Sequence, residues 1–454
     1  MDCEFCKDLS AQEDKLKQIA EDVVKRALAA GADECAVSLG GARGLSVSSR
    51  DAEVENIEFN RDNGLDLTVY LHHRRGSAST TDLSSGALQE CVNSAVAIAS
   101  YADEDPCAGI CDQDLQCTDF KDLKLVGEVL LDPDKAVSRA VELESLALSD
   151  CSAGIRGSDG ASFDCTLYTE VTANSHGFCA AHSSSSCYMG LTLLGQSDSG
   201  MQRGSGYTVS RSLNGLWSAE KVVREAQEIT RGKLDARQVK TGHYKVIFSR
   251  GAVISLLGNL VGAISGGAVY RKSSFLCDAL NTRIFPEYVS IKEDPWIPGG
   301  FGSASYDSEG VRTQPDLIVE QGKLHEYLLN SYSSRKLGMK SNGHAGGVYN
   351  WFVEFAPEEK CSFEELLKDA GEGLVVTELM GQGVDMVSGN YSRGASGYYF
   401  KNGVREYPVE EITIAGNLRD MFSSLAKCGT DVDERYKIHT GSLLLPDLVV
   451  AGTD

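Results

Sequence analysis

The feature that most limits what this chain can become is an uncharged stretch, GAVISLLGNLVGAISGGAVY, which runs from Gly251 to Tyr270. Arg250 precedes it, and Arg271 and Lys272 follow it. About twenty uncharged residues between basic flanks are long enough to span a bilayer. The stretch nevertheless contains five Gly, two Ser and one Asn, so it is far less apolar than a typical membrane-spanning helix. We therefore expect no membrane association.

A helix buried on most of its surface explains this stretch better. Gly266 and Gly267 are a natural helix stop, and Gly258 and Gly262 allow neighbouring elements to approach closely. The apolar side chains recur at helical spacing, at positions 253, 254, 257, 260, 261 and 264.

Composition narrows the class of protein. The chain has 454 residues, enough for two or three domains, and 43 Lys and Arg against 65 Asp and Glu give a net charge of −22. Such a surface repels phosphate backbones, which argues against nucleic-acid binding. The first residues, MDCEFCKDLSAQED, lack the apolar segment of a secretory signal. We expect a cytoplasmic protein whose fourteen Cys are reduced.

The N-terminal half alternates predicted helices and strands. A capping box of Ser10 and Glu13 predicts a helix that ends at Gly31. Helices are also predicted over 85–102, from Pro133 with Asp132 as its cap, and over 218–230. The predicted strands are ECAVSLG, GLSVSSR, VENIEFN and LDLTVYLHH, with DNG as a hairpin turn before the last.

Beyond about residue 240 the pattern is mostly strands interrupted by Gly turns. The few predicted helices cover 251–264, 362–370 and 417–426, and the second begins with a capping box. The predicted fold class is α+β: an α/β N-terminal half with a strand-rich sheet and helices, followed by a β-rich C-terminal half with few helices. The predicted domains are 1–125, 126–235 and 236–454.

Familiar catalytic and metal-binding motifs are incomplete. His325 and Glu326 resemble the start of a zinc-peptidase motif, but Leu and Asn stand where a second His would be needed. The pairs Cys3/Cys6 and Cys107/Cys111 have no matching second pair, so neither is expected to bind metal. His344 lies in the loop GHAGG, which is either a turn that needs glycines or a loop that touches a ligand.

Longer strings resemble a known family. VENIEFN, DSEGVRT, NGHAGG, GNYSRGASGYYFKNG, YPVEEITIAGNLRDMF and GSLLLPDLVVAGT resemble the PmbA branch, also called TldE, of the TldD/PmbA family. The resemblance extends from about residue 10 to the C-terminus. It implies a bacterial cytosolic metallopeptidase. In this family the two branches form a complex that trims unstructured peptides, including the leader of a modified peptide antibiotic and an antitoxin.

This sequence differs from the TldD branch of that family in its zinc-binding residues. In the TldD branch, the helix that corresponds to Gly251–Tyr270 carries an H-E-x-x-x-H zinc motif, and a C-terminal Cys adds a ligand. Here that stretch contains no His, Glu, Asp or Cys, and the C-terminal KIHTGSLLLPD lacks a Cys. Zinc requires such side chains. We therefore assign no metal ligand and no catalytic residue to this chain, and expect zinc in a TldD-type partner.

The leading hypothesis is a subunit of a TldD/PmbA-type metallopeptidase complex that does not itself bind the catalytic metal and that forms a homodimer when alone. Two alternatives remain open: a non-catalytic peptide-binding or scaffold protein, and an independent hydrolase with a non-zinc site near His344. For each candidate residue, an ordinary structural role is an equally open account. The candidates for contact with the peptide are Arg271, Lys272, His344, Tyr391 and Arg393.

Overall fold

The computed structural model describes residues 4–149 and 154–453, with side chains from Leu9 onward. Cys3 and the side chain of Cys6 therefore lie outside the described part. Helices and strands alternate irregularly along the chain, and the helices become short after residue 263. In the described residues the helices are α1 Glu4–Ala29, α2 Ser85–Tyr101, α3 Pro133–Ser149, α4 Ala219–Arg231, α5 Arg250–Ala263, α6 Gly266–Tyr270, α7 Ser331–Leu337, α8 Phe363–Ala370 and α9 Leu418–Ser423.

Long strands characterise the N-terminal part, whereas the C-terminal part has shorter and more numerous ones. The N-terminal strands are β1 Glu34–Arg50, β2 Glu53–Leu71, β3 Arg74–Thr80, β4 Ile155–Asn174, β5 Cys179–Ser197 and β6 Gly200–Ser210. The C-terminal strands are β7 Gly242–Phe248, β8 Val289–Asp294, β9 Asp316–Glu320, β10 Lys323–Leu324, β11 Asn350–Phe355, β12 Lys360–Cys361, β13 Glu372–Met380, β14 Asn390–Lys401, β15 Val404–Asn417, β16 Lys427–Gly429, β17 Ile438–His439 and β18 Leu443–Ala451.

The first six strands form one antiparallel sheet in the order β3-β2-β1-β4-β5-β6. Its helices lie on one face. Val37 of β1 packs with α1 and α2, and Val47 of the same strand packs with α3 and α4. These two positions are an even number of residues apart on an uninterrupted strand, so they point to the same side. The sheet is continuous across residue 125, with three strands from each side of it.

The predicted hairpin at DNG is wrong. β1 and β2 are single long strands, and DNG lies inside β2, where Gly64 pairs with Gly40. The reversal occurs instead at Asp51 and Ala52, which both adopt positive φ (56° and 59°). Positive φ at both central residues is the requirement of a type I′ turn, which suits the twist of a hairpin. A tertiary contact selects this turn over the local sequence signal.

That contact comes from Glu144 of α3, whose side chain is buried. Its carboxylate accepts hydrogen bonds from the backbone N–H groups of Asp51 and Ala52, each at 3.1 Å. It also accepts one from the hydroxyl of Ser49, at 2.7 Å. The helix thus satisfies donors that the tight turn would otherwise bury unpaired.

We expect Glu144→Ala to lower the free energy of unfolding by about 2–3 kcal/mol, because hydrogen bonds to a charged acceptor contribute roughly 1.5–3 kcal/mol. Urea denaturation measures this. Glu142→Ala is the matched control, since Glu142 lies on the same helix with an exposed side chain. Equal losses for the two variants would show that the turn does not depend on the carboxylate.

Among the other predicted helices, three agree with the structure and one begins at a different residue. The predicted helices over 85–102 and 218–230 and from Pro133 are confirmed, with N-caps at Ser84, Ser218 and Asp132. The capping box at Ser10 is wrong, because α1 begins earlier, at Glu4, and contains Ser10 within it. Leu9 is buried, so the face of the helix that packs against the protein already begins before the predicted start.

The C-terminal strands form a closed barrel and a smaller sheet. Strands β7, β13, β14, β15 and β18 pair in a ring, because β18 pairs with both β15 and β7. Closure removes the free edges of these strands. The smaller sheet has the order β10-β9-β8-β11-β17. Residues 331–333, the end of the stretch DLIVEQGKLHEYLLNSYS that the sequence predicts to be strand, begin α7 instead, which Asn330 caps through a capping box with Ser333.

The observed architecture confirms the predicted α+β class, with a helix-covered sheet followed by a β-rich part with few and short helices. The main C-terminal core cluster contains residues of α5 and of both the barrel and the smaller sheet, and a second, smaller cluster lies between α8 and the barrel. Among the described helices, none combines the length and the apolar character needed to cross a membrane. The domain limits 1–125, 126–235 and 236–454 stay predictions.

Candidate functional site

Helix α5 is held at its start by a local cap and along its length by the core. Ser249 is the N-cap and accepts a hydrogen bond from the N–H of Ala252. The helix ends where the N–H of Ile264 bonds back to Leu260. Its buried face packs into the C-terminal core through Ala252, Val253, Leu256, Leu257, Leu260 and Ala263. The predicted buried helix is confirmed.

The opposite face of α5 is small and polar. It consists of Ser255, Gly258, Asn259 and Gly262, which follow one another at helical spacing and which we call the open face. Gly258 is exposed, and a Cβ there would have no heavy atom within 4 Å. The amide nitrogen of Asn259 donates to the carbonyls of Ser255 and Leu256 at 3.0 and 3.3 Å. Among the described residues, Gly258 thus leaves this face open to a ligand or a partner.

Arg393 of β14 borders this open face. Its Nη1 donates to the hydroxyl oxygen of Ser255 at 2.6 Å. Tyr391, two residues earlier on the same side of the strand, is 1% exposed, and its hydroxyl has no hydrogen-bond partner in the described part of the chain. Burial raises the pKa of Tyr391 to about 12, and the charge of Arg393 opposes that shift. Tyr391 is therefore neutral near pH 7.

The other candidate residues lie elsewhere. Arg271 and Lys272 are exposed just after α6, where Arg271 stacks on Tyr270 with 5.2 Å between the guanidinium carbon and the ring centroid. Within the described residues, neither of them contacts Arg393 or Ser255. The structure thus brings Arg393 and Tyr391 together near α5, while Arg271 and Lys272 are exposed at the end of α6. Their roles in peptide binding stay predictions.

His344 is buried rather than presented to solvent. Its Nε2 lies 2.7 Å from Oε2 of Glu293, and its Nδ1 lies 2.9 Å from Oδ1 of Asn342. The Asn342 amide is oriented by other bonds, because its oxygen accepts from the N–H of Leu329 and its nitrogen donates to the carbonyl of Tyr327. Both imidazole nitrogens therefore face acceptors. The ring is held between the Glu293 carboxylate and the Asn342 amide.

Glu293 is the centre of this buried cluster and was missed by sequence analysis. Its second oxygen accepts from the N–H of Tyr349 and from the indole Nε1 of Trp351, both at 2.8 Å. A signal was present: Val289, Ile291 and Glu293 alternate along β8 on its buried side. A carboxylate at a core position of a strand requires a partner inside the protein.

Asp307 connects the loop of His344 to a neighbouring turn. Its carboxylate accepts from the N–H of Ala345 at 3.0 Å and from those of Glu309 and Val311 at 2.9 Å. Burial, followed by the charge of Glu309, raises the pKa of Asp307 to about 7. The three backbone donors partly counter that rise. His344, which belongs to the GHAGG loop, and Asp307, which lies outside it, therefore both hold this loop in place.

The described residues do not suit a metal ion. Within 4–149 and 154–453, no group of three or more His, Cys, Asp or Glu side chains is arranged to hold one. The open face of α5 and its neighbour offer a hydroxyl, an amide and a guanidinium. Such groups form hydrogen bonds with peptide carbonyls and carboxylates. This arrangement suits binding rather than water activation by a bound metal.

Comparison with solved structures confirms the fold. A TldE from Thermococcus kodakarensis superimposes with a TM-score of 0.81 at 19% identity, covering 96% of this chain and 100% of that one. A proposed modulator of DNA gyrase from Bacteroides thetaiotaomicron gives 0.89 at 24% identity, covering 97% and 99%. At these identities the similarity establishes the architecture alone.

Sequence comparison establishes the family. Profiles of the PmbA/TldA metallopeptidase match in three parts: domain 1 at residues 35–99, the central domain at 130–234 and the C-terminal domain at 241–452. Metalloprotease PmbA of Escherichia coli O157:H7 is 43% identical, covering 97% of this chain and 98% of that protein. A PmbA homologue of Haemophilus influenzae is 41% identical, covering 98% of both. The chain therefore belongs to the PmbA/TldD metallopeptidase family, in its PmbA branch.

Proposed function

We propose that this chain is the subunit of a two-component metallopeptidase that completes the substrate chamber without binding the catalytic metal. In this proposal a TldD-type partner holds zinc and performs hydrolysis. The chain assembled with it trims unstructured peptides and small proteins, of which leader peptides and antitoxins are examples. The names of its relatives support a protease-type role. The side chains of α5 support the assignment of zinc and hydrolysis to the partner.

The open face of α5 carries this proposal. A helix that packs firmly into the core presents half-buried Ser255 and Asn259 and exposed Gly258 where a metallopeptidase would need imidazoles and carboxylates. Gly258 permits another backbone to approach closely, and Arg393 supplies a positive charge at its border. A surface of this kind suits contact with an extended peptide or with the partner subunit.

The test compares this chain, a TldD-type partner and their mixture on one unstructured peptide. We expect cleavage by the mixture alone, zinc content that follows the partner, and loss of cleavage on adding a chelator. The two should co-elute at micromolar concentration, because closing a shared chamber buries at least about 1,000 Å². Metal analysis of each purified protein accompanies the assay.

Other outcomes identify the alternatives. Chelator-resistant cleavage by this chain alone would establish an independent hydrolase, for which the buried state of His344 offers no support. Peptide binding without any effect on the partner's rate would establish a scaffold or binding protein. Stoichiometric zinc in this chain after dialysis would contradict the division of labour.

A further inference from the structure

A cleft of about 640 Å³ separates the N-terminal sheet and its helices from the C-terminal part. It lies away from the open face of α5, beside the first residue of that helix. One wall is formed by Arg211, which follows β6, and by Trp217 and Lys221 at the start of α4. The other wall includes Arg250 and Phe301. Both structural units thus contribute to a single groove that opens to solvent.

The lining of this cleft is positive in a strongly acidic protein. Four basic residues, Arg211, Lys221, Arg250 and Arg435, face two acidic residues, Asp433 and Glu434. The whole chain carries a net charge of −22. A local excess of positive charge against that background concentrates anionic ligands in the cleft.

Only one of these cations is fully neutralised. The guanidinium of Arg435 contacts Asp433 at 2.6 Å and Glu225 at 2.8 Å, and its side chain is 8% exposed. Arg250 lies 3.7 Å from the same Asp433 carboxylate and is 43% exposed. One carboxylate therefore serves two guanidiniums, with the tighter contact made to Arg435. Arg250 retains most of its capacity to bind an anion.

Arg211 and Lys221 lack carboxylate partners among the described residues. The Arg211 guanidinium donates to the carbonyls of Ser185, Gly300 and Phe301 at 3.2–3.3 Å. Its burial lowers its pKa, because no neighbouring carboxylate offsets the loss of hydration. The ammonium of Lys221 lies 3.4 Å from the ring centroid of Trp217 and is exposed. An incoming carboxylate would give the Arg211 guanidinium and the Lys221 ammonium a partner of opposite charge.

Aromatic surface complements the charge. Trp217, Phe301 and Tyr436 all line the cleft. Aromatic faces contribute apolar contact area to a bound polypeptide at a low cost in side-chain entropy. A ligand that combines carboxylates with a chain able to lie along these rings therefore fits the cleft better than a small inorganic anion.

We propose that this cleft binds an acidic, unstructured peptide segment, with Lys221, Arg250 and Arg211 contacting its carboxylates and the aromatic residues contacting its chain. The proposed function supplies one premise, that the ligand is a peptide. Because the cleft includes Arg250 of α5 but not the open face of that helix, it would select substrates by charge beside the site of cleavage rather than at it.

The test measures binding to the purified chain alone, by fluorescence anisotropy of a labelled acidic peptide. The comparison peptide replaces each Asp and Glu by Asn and Gln. We expect the acidic peptide to bind at least about tenfold more tightly, with an advantage that shrinks as salt is raised. Lys221→Gln and Arg250→Gln should each weaken its binding several-fold. Arg224→Gln is the matched control, because Arg224 is exposed on the same helix and does not line the cleft.

Equal affinity for the two peptides would overturn the proposal, as would equal effects of Lys221→Gln and Arg224→Gln. Displacement of the acidic peptide by inorganic phosphate at concentrations that leave its amide counterpart bound would support the charged contact. Phosphate binding without any preference for the acidic peptide would instead establish a free-anion site and overturn the assignment. The assay needs neither partner nor cleavage. Failure of the complex to hydrolyse peptides, with selective binding intact, would count against the proposed function alone.

Discussion

Glu293→Ala should lower the free energy of unfolding by about 3–5 kcal/mol, because it removes a buried carboxylate that contacts His344 and accepts hydrogen bonds from two further donors. The carboxylate side chain is 0% exposed and that of His344 is 2% exposed. Its loss leaves the facing imidazole nitrogen of His344 without its partner and leaves the donors of Tyr349 and Trp351 without an acceptor. Urea denaturation at neutral pH measures the difference.

Glu354→Ala is the matched control for this prediction. Glu354 lies on β11, which pairs with β8, and forms an ion pair with Lys292 at 2.7 Å, but its side chain is 43% exposed. An exposed pair of this kind contributes at most about 1 kcal/mol. The double variant Glu293→Ala/His344→Ala should lose less than the sum of the single variants, since neither side chain is left buried without the other. Strict additivity would show that the two side chains are not coupled.

Gly258→Tyr should reduce cleavage by the assembled complex at least about 100-fold, roughly 2.7 kcal/mol of lost transition-state stabilisation. The expectation rests on the proposed function. A Cβ at Gly258 meets nothing within 4 Å, so the isolated chain accommodates a large side chain there. In the complex the ring would occupy space that the proposal assigns to the peptide or the partner. Initial rates on an unstructured peptide test this.

Folding of the variant provides the internal check. Replacing a helical Gly removes a penalty of up to about 1 kcal/mol, so the isolated chain should be at least as stable as the wild type. Gly86→Tyr is the control, because Gly86 is an exposed glycine of α2 with equally open surroundings. Gel filtration distinguishes failed assembly from blocked cleavage. A Gly258→Tyr complex that cleaves at the wild-type rate would show that the open face of α5 borders neither ligand nor partner.

Local signals predicted those elements whose ends are decided locally. The capping box of Ser362 and Glu365 opens α8, and Asp132 with Pro133 opens α3, as the sequence indicates. The same reasoning failed at DNG, because Asp51 and Ala52 donate hydrogen bonds to Glu144, which is distant in sequence. Turn chemistry is a weak preference beside three bonds to a buried carboxylate.

Some features of the candidate site could be predicted from the sequence and others could not. The absence of metal-ligand side chains between Gly251 and Tyr270 can be read directly from the sequence. The contact of Arg393 with Ser255 could not be derived, because it depends on how β14 and α5 meet in the closed barrel. For His344, a glycine-rich loop left two accounts open, and only the position of Glu293 reveals that the imidazole is enclosed.

The continuous N-terminal sheet has a consequence for the order of folding. β1 can pair with β2 as soon as both are synthesised, since Arg50 and Glu53 are adjacent across the turn. Its other edge must wait for β4, whose Asn174 pairs with Ala36. Until then a long strand presents unpaired N–H and C=O groups, which invite pairing with other chains. Slow, sequence-distant closure of this kind lowers folding rates and makes the nascent chain dependent on protection from aggregation.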